Sequence, residues 1–369
     1  MASAIRIHLS IGGGPASPIL MNALRQVVVQ QKDEAPSGFQ LHFQAGNRPA
    51  GEWDAMGALS AFDHVTIGVE IDGSVSTLMV GLITHIELSA QQGLPTVIAT
   101  GEDLTFQMTR LEVSKPWPAM PDFLIATTVI GIYGAICGWS PSIHPTLRTV
   151  ASNLSMVTQQ QTVDDRCWVQ TLAGRYGYTF AMKFGGSTPV AYWGPPDHGA
   201  TPQKPLTYGP HPQRNVTSMS FTYDPTQPVQ IFGMSEDPLD LGIPIPVIAM
   251  TTSSDLSPTF SSNPALGQSG TRKSLRYYPG NNPVQAYAEA MGEVDDSTKN
   301  VVTATGEVDG TLYRSALQAP GVVAIRGAGL SNDGLYYLKE VTHTLTTDSY
   351  RQSFTMTRGG LGTTIGSVA

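Results

Sequence analysis

Charge is scarce in this sequence. Only 14% of its 369 residues are Asp, Glu, Lys or Arg, and the net charge is −8. A nucleic-acid-binding surface needs clustered Lys and Arg to neutralise phosphates, and no basic cluster occurs here. Low charge together with 38 Gly and 27 Pro predicts a turn-rich β protein whose surface is largely covered by neighbouring subunits. A secreted, turn-rich β protein would have a similar composition.

Long apolar runs, export signals and cysteines are also few. The most apolar window, residues 123–139, contains three glycines. It is shorter than the roughly 20 residues that cross a bilayer, so it predicts a buried helix. The N-terminus lacks the basic and apolar regions of a signal peptide. Cys137 and Cys167 are too few for a disulfide framework or a metal site, and their apolar surroundings predict that both act as small hydrophobic side chains.

Patterns of known catalytic and cofactor sites are missing as well. The glycine run 12–14 lacks the Lys and the spacing of phosphate-binding loops, and no G-x-S-x-G motif occurs. None of the eight histidines belongs to a short metal-ligand spacing. Those in predicted strands, in Pro-rich loops or on the final hairpin are His8, His42, His64, His85, His198, His211 and His343. For His343 we predict a strand histidine with a hydrogen-bonded ring nitrogen.

Adjacent carboxylates occur twice, at Asp164-Asp165 and Asp295-Asp296. Neighbouring residues point to different faces, so we interpret each pair as helix-end charge rather than as an acid–base pair. Glu52 and Asp54 flank Trp53, but two carboxylates so close in one loop disfavour a glycosidase. The sequence therefore predicts no enzyme, and no catalytic, cofactor-binding or metal-binding residue.

Alternation of apolar and polar residues predicts a series of short strands in the first 105 residues, separated by turn signals. The Asp72-Gly73 step supplies the positive φ that a tight hairpin needs. Such a series is typical of a β-barrel or a sandwich. The predicted strands are 5–11, 24–31, 38–44, 65–71, 78–88 and 96–100.

The middle of the chain has a different pattern. A helix is expected from Asp122, as its N-cap, to about Gly138. A second, amphipathic helix is expected over 161–176, with Thr162 ahead of the Asp pair and with Trp168 and Leu172 in the core. Gly177 is placed to end it. The Pro- and Gly-rich residues 192–213 predict an inter-domain crossing.

The β pattern then resumes towards the C-terminus. Strands of a second barrel are predicted at 216–223, 229–234, 301–307 and 322–325, with a long connection over 251–283 and a helix over 284–298. The last element is a hairpin over 334–358 with its turn at 347–349. Its buried face is predicted to carry Val341, Leu345, Tyr350, Phe354 and Met356. Its polar face is predicted to carry Thr342, Thr344, Thr346, Ser353 and Thr355.

Several short motifs follow one another along the chain. The most specific lies over 161–180, where a Gln, the Asp pair, Trp168, Leu172-Ala173 and Gly177 lead into a strand. The others lie at 37–43, 69–73, 80–84, 100–104, 320–322 and 334–358. In these motifs and in their order the sequence resembles the late-control-D family, the tail hub proteins of contractile phages and related injection machines.

The resemblance implies a mainly β chain with α insertions and two β-barrel domains. The expected limits are 1–112 for the first barrel, 113–205 for a helical insert, and 206–369 for the second barrel with a loop-helix insertion over 251–300. Three such chains would form a homotrimeric ring of six similar barrels, which joins a hexameric inner tube to a trimeric spike.

Partners and location follow from the same resemblance. We expect a separate spike chain, because this sequence stops soon after Arg358, together with the inner tube protein, other baseplate components and a tape-measure protein or cargo. Assembly in the cytoplasm into a phage tail or injection particle is expected. The alternative is a β-rich carbohydrate-binding or carbohydrate-processing protein, supported by the aromatic residues Trp53, Trp193, Tyr277 and Tyr278.

Overall fold

The computed structural model describes residues 5–44, 57–89, 95–146, 149, 158–209, 214–235, 244–250, 256, 271–278 and 283–363. Strands make up 49% and helices 20% of the structure, and the largest sheet is mainly antiparallel. The predicted fold class, mainly β with helical insertions, is therefore confirmed. None of the helices in these ranges is both long enough and apolar enough to span a membrane.

The first part of the chain forms a six-stranded antiparallel arrangement in the order β3-β4-β7-β6-β5-β1. All six strands contribute side chains to one hydrophobic cluster, because alternate residues of each strand point inward. The predicted turn is present, with Asp72 at φ 52° and Gly73 at φ 84°. The elements are β1 Ile5–Ile11, the short β2 Gly14–Pro15, α1 Pro18–Ala23, β3 Leu24–Lys32, β4 Gly38–Gln44, β5 His64–Ile71, β6 Ser74–Ser89 and β7 Thr96–Asp103.

The middle part packs two helices around a second hydrophobic cluster that contains Trp168 and Leu172. Both side chains are buried, as predicted. Gly177 has φ 64° and its backbone closely approaches Gly292, so a side chain there would collide. The elements are a 3₁₀ turn Leu104–Thr109, β8 Lys115–Trp117, α2 Asp122–Cys137, β9 Ser140–Ile143, β10 Gln159–Gln161, α3 Asp165–Gly174, β11 Thr179–Lys183 and β12 Val190–Gly194.

Both predicted helix starts need correction. The N-cap of α2 is Pro121, and Asp122 lies inside the first turn, where its buried carboxylate accepts a hydrogen bond from the Tyr176 hydroxyl at 2.8 Å. The helix α3 begins at Asp165, later than predicted, because Asp164 rather than Thr162 caps it. The Asp164 carboxylate accepts the Cys167 backbone N–H at 2.9 Å, which confirms the interpretation of this Asp pair as helix-end charge.

Two expectations about buried apolar groups were wrong in part. The helix α2 buries Ile125, Val129 and Ile130, but its opposite face exposes Leu124, Ile132 and Ile136. Cys137 is half-buried, whereas Cys167 is exposed on α3. No charged residue occurs between Asp122 and the end of β9, so the sequence offered no polar face by which to orient α2.

The last part forms a second six-stranded arrangement in the order β14-β18-β21-β20-β19-β13. Its strands surround a third hydrophobic cluster. The elements are β13 Gln203–Thr207, β14 Val216–Tyr223, β15 Val229–Ser235, β16 Ile245–Ala249, β17 Arg272–Tyr278, α4 Pro283–Thr298, β18 Val302–Asp309, α5 Gly310–Tyr313, β19 Gly321–Arg326, β20 Gly334–Thr346 and β21 Tyr350–Arg358.

The structure changes three assignments in this part. The strand at 229–234 exists as β15, but it leaves the second arrangement and forms a separate sheet, β16-β15-β17, against α4. The Pro- and Gly-rich stretch 192–213 contains the end of β12 and all of β13. The predicted connection 251–283 contains β17, and its residues 251–255, 257–270 and 279–282 lie outside the described ranges. The domain limits and the closure of either arrangement into a barrel stay predictions.

Candidate assembly surfaces

The strand β20 belongs to both six-stranded arrangements. Its first part, Gly334–Leu338, pairs with β19, and its second part, Glu340–Thr346, pairs on the same edge with Lys32–Gln26 of β3. A β-bulge against β21 lies between the two parts, between Leu338 and Glu340. One continuous sheet therefore runs from the first arrangement into the second.

The long strand β6 has the same construction as β20. Its first part pairs with β5, and this edge continues to Ile83, whose backbone bonds Phe62 at 2.8 Å and Asp63 at 3.1 Å. A bulge against β7 then falls between Ile83 and His85. Beyond it, no strand in the described ranges occupies the edge of residues 85–89. This is the position that β3 occupies beside β20.

The two arrangements also repeat each other in chain order. The strands β1, β3, β4, β5, β6 and β7 correspond in sequence to β13, β14, β18, β19, β20 and β21, and both sets take the same order in the sheet. One difference is that β1 pairs antiparallel with β5, whereas β13 pairs parallel with β19. By this correspondence, β14 is the counterpart of β3.

The outer strand β14 supplies a second open edge. It pairs with β18 on one side, and no described strand lies on its other side. Tyr223, on β14, is 43% exposed, and Leu88, at the open edge of β6, is 38% exposed. Apolar side chains at open strand edges indicate surfaces that another strand covers.

The final hairpin has the predicted register. Val341 pairs with Phe354, and Leu345 pairs with Tyr350. All the residues assigned to its apolar face are buried, as predicted. Residues assigned to the other face, such as Thr344 and Ser353, are half-buried or exposed.

His343 lies on the buried face of this hairpin. Its Nδ1 is 2.9 Å from the Tyr350 hydroxyl oxygen, which confirms the predicted hydrogen-bonded strand histidine. Burial lowers its pKa to about 3, and the Leu317 backbone opposes this shift only in part. The imidazole is therefore neutral near pH 7, and its position inside the core leaves it no access to a substrate.

Two buried glutamines beside His343 bind a loop where β3, β20 and β21 run side by side, at the joint between the two arrangements. Gln31 of β3 accepts the Ala319 N–H at 2.8 Å and donates to the Leu78 carbonyl at 2.7 Å. Gln352 of β21 accepts the Leu317 N–H at 2.7 Å and donates to the Ser315 carbonyl at 2.9 Å. The loop 315–319 thus satisfies its backbone groups through side chains of both arrangements.

The remaining candidates from the sequence are not brought into one site. His8 pairs with Glu70 at 2.8 Å on an exposed strand face, and Asp296 is an exposed helix-end residue bonded to Lys299 at 3.1 Å. Trp193 is fully buried, so it cannot stack on a sugar. Across the described ranges, no three His, Cys, Asp or Glu side chains are grouped to hold a metal. His211 and the segment 52–54 lie outside those ranges.

Solved structures share this fold over nearly the whole chain. The tail protein from Neisseria meningitidis MC58 matches with TM-score 0.66 and 14% identity, over 97% of this chain and 98% of its own. The 43 kDa tail protein of prophage MuSo2 from Shewanella oneidensis matches with TM-score 0.63 and 13% identity, over 96% and 99%.

The chain has the fold of phage tail proteins. This agrees with the resemblance to tail hub proteins that the sequence motifs indicated. An Escherichia coli component of the type VI secretion system shares the fold with TM-score 0.54 and 13% identity, over 95% of this chain and 76% of that one. No protein-family model and no curated protein matches the sequence.

The open edges of β6 and β14 are candidate assembly surfaces that the sequence did not indicate. Each strand was predicted, but an open edge depends on what pairs with it. The available signal was the length of the predicted strand 78–88, because so long a strand can pair with different neighbours along its two parts.

Proposed function

We propose that this protein is a structural hub subunit of a contractile tail or injection particle. It forms a homotrimeric, pseudo-sixfold ring between a hexameric inner tube and a trimeric spike. The repeated strand order carries the proposal. A chain that contains two copies of one arrangement presents six similar units in a trimer, and so can meet sixfold symmetry on one side and threefold symmetry on the other.

The joint between β20 and β3 serves as the template for contacts between subunits. Within the chain, the second part of β20 accepts β3 on its open edge. The corresponding open edge of β6 accepts the counterpart of β3, which is β14, from the next copy. Each copy has one open β6 edge and one open β14 edge among the described residues, so the same contact can repeat from copy to copy. We propose that it closes after three copies, which gives the threefold symmetry of the spike.

The observed registers fix which residues meet. His343 pairs with Val29 inside the chain, and the bulge positions make Leu88 the counterpart of His343. The pairing of β3 and β14 with their own neighbours makes Phe221 the counterpart of Val29. Leu88 therefore lies opposite Phe221 of the neighbouring copy, and Ile86 lies opposite Tyr223. This register covers the exposed apolar side chains of both edges.

Other components occupy the remaining surfaces of this ring. We propose a separate spike chain, the inner tube protein, other baseplate components, and a tape-measure protein or cargo in the channel, with assembly in the cytoplasm. The role is mechanical, without enzymatic activity. The tail proteins that share the fold support a place in such a particle.

Cysteine pairs across the proposed edges test the ring and its register. In a background with Cys137→Ala and Cys167→Ser, the pair Glu87→Cys and Thr222→Cys should oxidise to a covalent trimer on a denaturing gel. The matched control, Glu87→Cys with Ser218→Cys, keeps one edge and moves the second thiol out of register. It should stay monomeric on that gel.

Light scattering of the same samples tests the trimeric ring separately from the register of its strand contacts. A trimer that gives equal cross-linking with both cysteine pairs, or none with either, would overturn the register. A chain that stays monomeric at all concentrations, alone and with tube or spike protein, would overturn the ring itself.

A further inference from the structure

The sheet formed by β15, β16 and β17 has an apolar outer face. Phe232 lies between Ile248 and Leu275 in register, and Met234 lies beside Tyr277. Leu275 is 84% exposed and Tyr277 62%. We call this face the platform, and its residues are Phe232, Met234, Pro246, Ile248, Met250, Leu275 and Tyr277.

The opposite face of the same sheet shows which kind of element it accepts. There α4 packs Ala286, Ala290, Met291 and Val294 onto Val229, Ile231, Val247 and Ala249. A salt bridge fixes the edge of this contact, with Arg276 of β17 at 2.5 Å from Glu293 of α4. The inner face thus binds an amphipathic helix through small apolar residues and one carboxylate.

The platform has the same two features on the outer side of the sheet, namely an apolar face and a basic residue at its edge. Its apolar rows run across all three strands, and β17 places Lys273 at its edge. The Lys273 ammonium lies 6.0 Å from the Phe232 ring, so it projects on the platform side. Within the part of the chain that the structure describes, Lys273 forms no ion pair with a carboxylate.

We propose that the platform binds an amphipathic α-helix of another protein of the particle, which presents an apolar stripe and a carboxylate for Lys273. This inference rests on the proposed function for its setting. The charge of Lys273 argues for an acidic partner segment, and the apolar three-stranded face argues for a helix, as on the inner side.

The size of the platform argues against two platforms packed face to face. Three strands about 4.8 Å apart and about five residues long give an area on the order of 250 Å². Two such faces packed together would bury far less than the roughly 1,200 Å² of a stable protein interface. A helix docked as one part of a larger interface fits this area.

Site-specific photo-cross-linking tests the occupant. A benzophenone side chain replaces Leu275 in the full chain, which is incorporated into particles in its source cell, and cross-linked peptides are mapped by mass spectrometry. The expected product joins position 275 to an amphipathic helical segment of a different protein that contains Asp or Glu. The same group at Leu330, an exposed position far from the platform in sequence, should not yield that product.

Charge variants then test the role of Lys273. Lys273→Glu should lower the cross-link yield at least fivefold, Lys273→Arg should preserve it, and replacement of the mapped carboxylate by Lys should restore it in the Lys273→Glu background. Cross-links to a second copy of this chain, to a segment without a carboxylate, or to nothing in intact particles would each overturn the proposal. These particles still contain trimers if the ring is correct, so failure here is distinguishable from failure of the ring.

Discussion

The Nδ1 atom of His343 lies 2.9 Å from the hydroxyl oxygen of Tyr350, and both side chains are buried on one face of the final hairpin. The rings lie nearly parallel, with centroids 6.0 Å apart. This pair stands where β3, β20 and β21 run side by side, at the joint between the two strand arrangements. Its protonation state therefore affects the stability of the whole sheet.

Acid should destabilise the protein through His343. Its pKa is about 3 in the folded chain and about 6.5 in an unfolded one, so between these values the unfolded state binds the extra proton. The contribution of neutral His343 to the free energy of unfolding is fully present above pH 6.5. It decreases as the pH falls towards 3, by at most about 1.4 kcal/mol per pH unit. Urea titrations from pH 7.5 to 4.5 should show this slope.

The matched variants separate this effect from general acid denaturation. His343→Gln should be less stable at pH 7.5 but should show a shallower decrease between pH 6.5 and 4.5. Leu111→Ala removes no titratable group from an exposed position and should leave the slope unchanged. An equal slope in wild type and His343→Gln would show that another group dominates the acid response.

Removal of the Trp168 side chain should create a cavity in the middle part of the chain. Trp168→Ala is expected to cost about 3–5 kcal/mol, because the indole is buried in the second hydrophobic cluster. Chemical denaturation measures this loss, and Leu111→Ala, at a 62% exposed position, should be nearly neutral. A fully stable Trp168→Ala variant with a binding defect would instead assign this residue to an interface.

The cap of α3 gives a smaller and sharper test. Asp164→Ala should cost about 1 kcal/mol, because the Cys167 N–H loses its acceptor. Thr162→Ala should be close to neutral, although the sequence suggested Thr162 as part of the cap. Thermal melts of the two variants distinguish the residues, and a larger loss for Thr162→Ala would contradict the observed start of the helix.

The final hairpin predicts three outcomes from three substitutions. Phe354→Asp should abolish folding, since it places a charge in the third hydrophobic cluster. Thr355→Ser, on the opposite face, should be tolerated. Thr344→Trp should fold but hinder assembly, because that face is expected to meet a neighbour or the channel. Thermal melts and negative-stain images of particles report these results, and a normally folded Phe354→Asp would refute the observed register.

Local patterns predicted the elements far better than their pairing. The final hairpin was predicted almost residue by residue, because period-2 alternation and a short turn fix both register and buried face. The strand β16 was missed, because Pro244 and Pro246 interrupt its pattern. The move of β15 to a separate sheet could not be predicted, because its alternation fits either sheet equally well.

The candidate assembly surfaces depend on contacts between distant residues. The pairing of Glu340 with Lys32 joins the two ends of the chain, and no local property of either strand specifies the other. The sequence also did not predict that Gln31 and Gln352 are buried and bind the loop 315–319, since a glutamine in a strand pattern predicts an exposed side chain. The resemblance to the hub family supplied the fold where periodicity could not.

The sharing of β20 also has a mechanical consequence. Residues Glu340–Thr346 of β20 pair with β3 along their whole length. A force applied parallel to these strands would therefore act on all of these residue pairs at the same time. The backbone hydrogen bonds between β20 and β3 would transmit this force directly from one arrangement to the other. We therefore expect the two arrangements to resist separation along the strand direction together, as one unit.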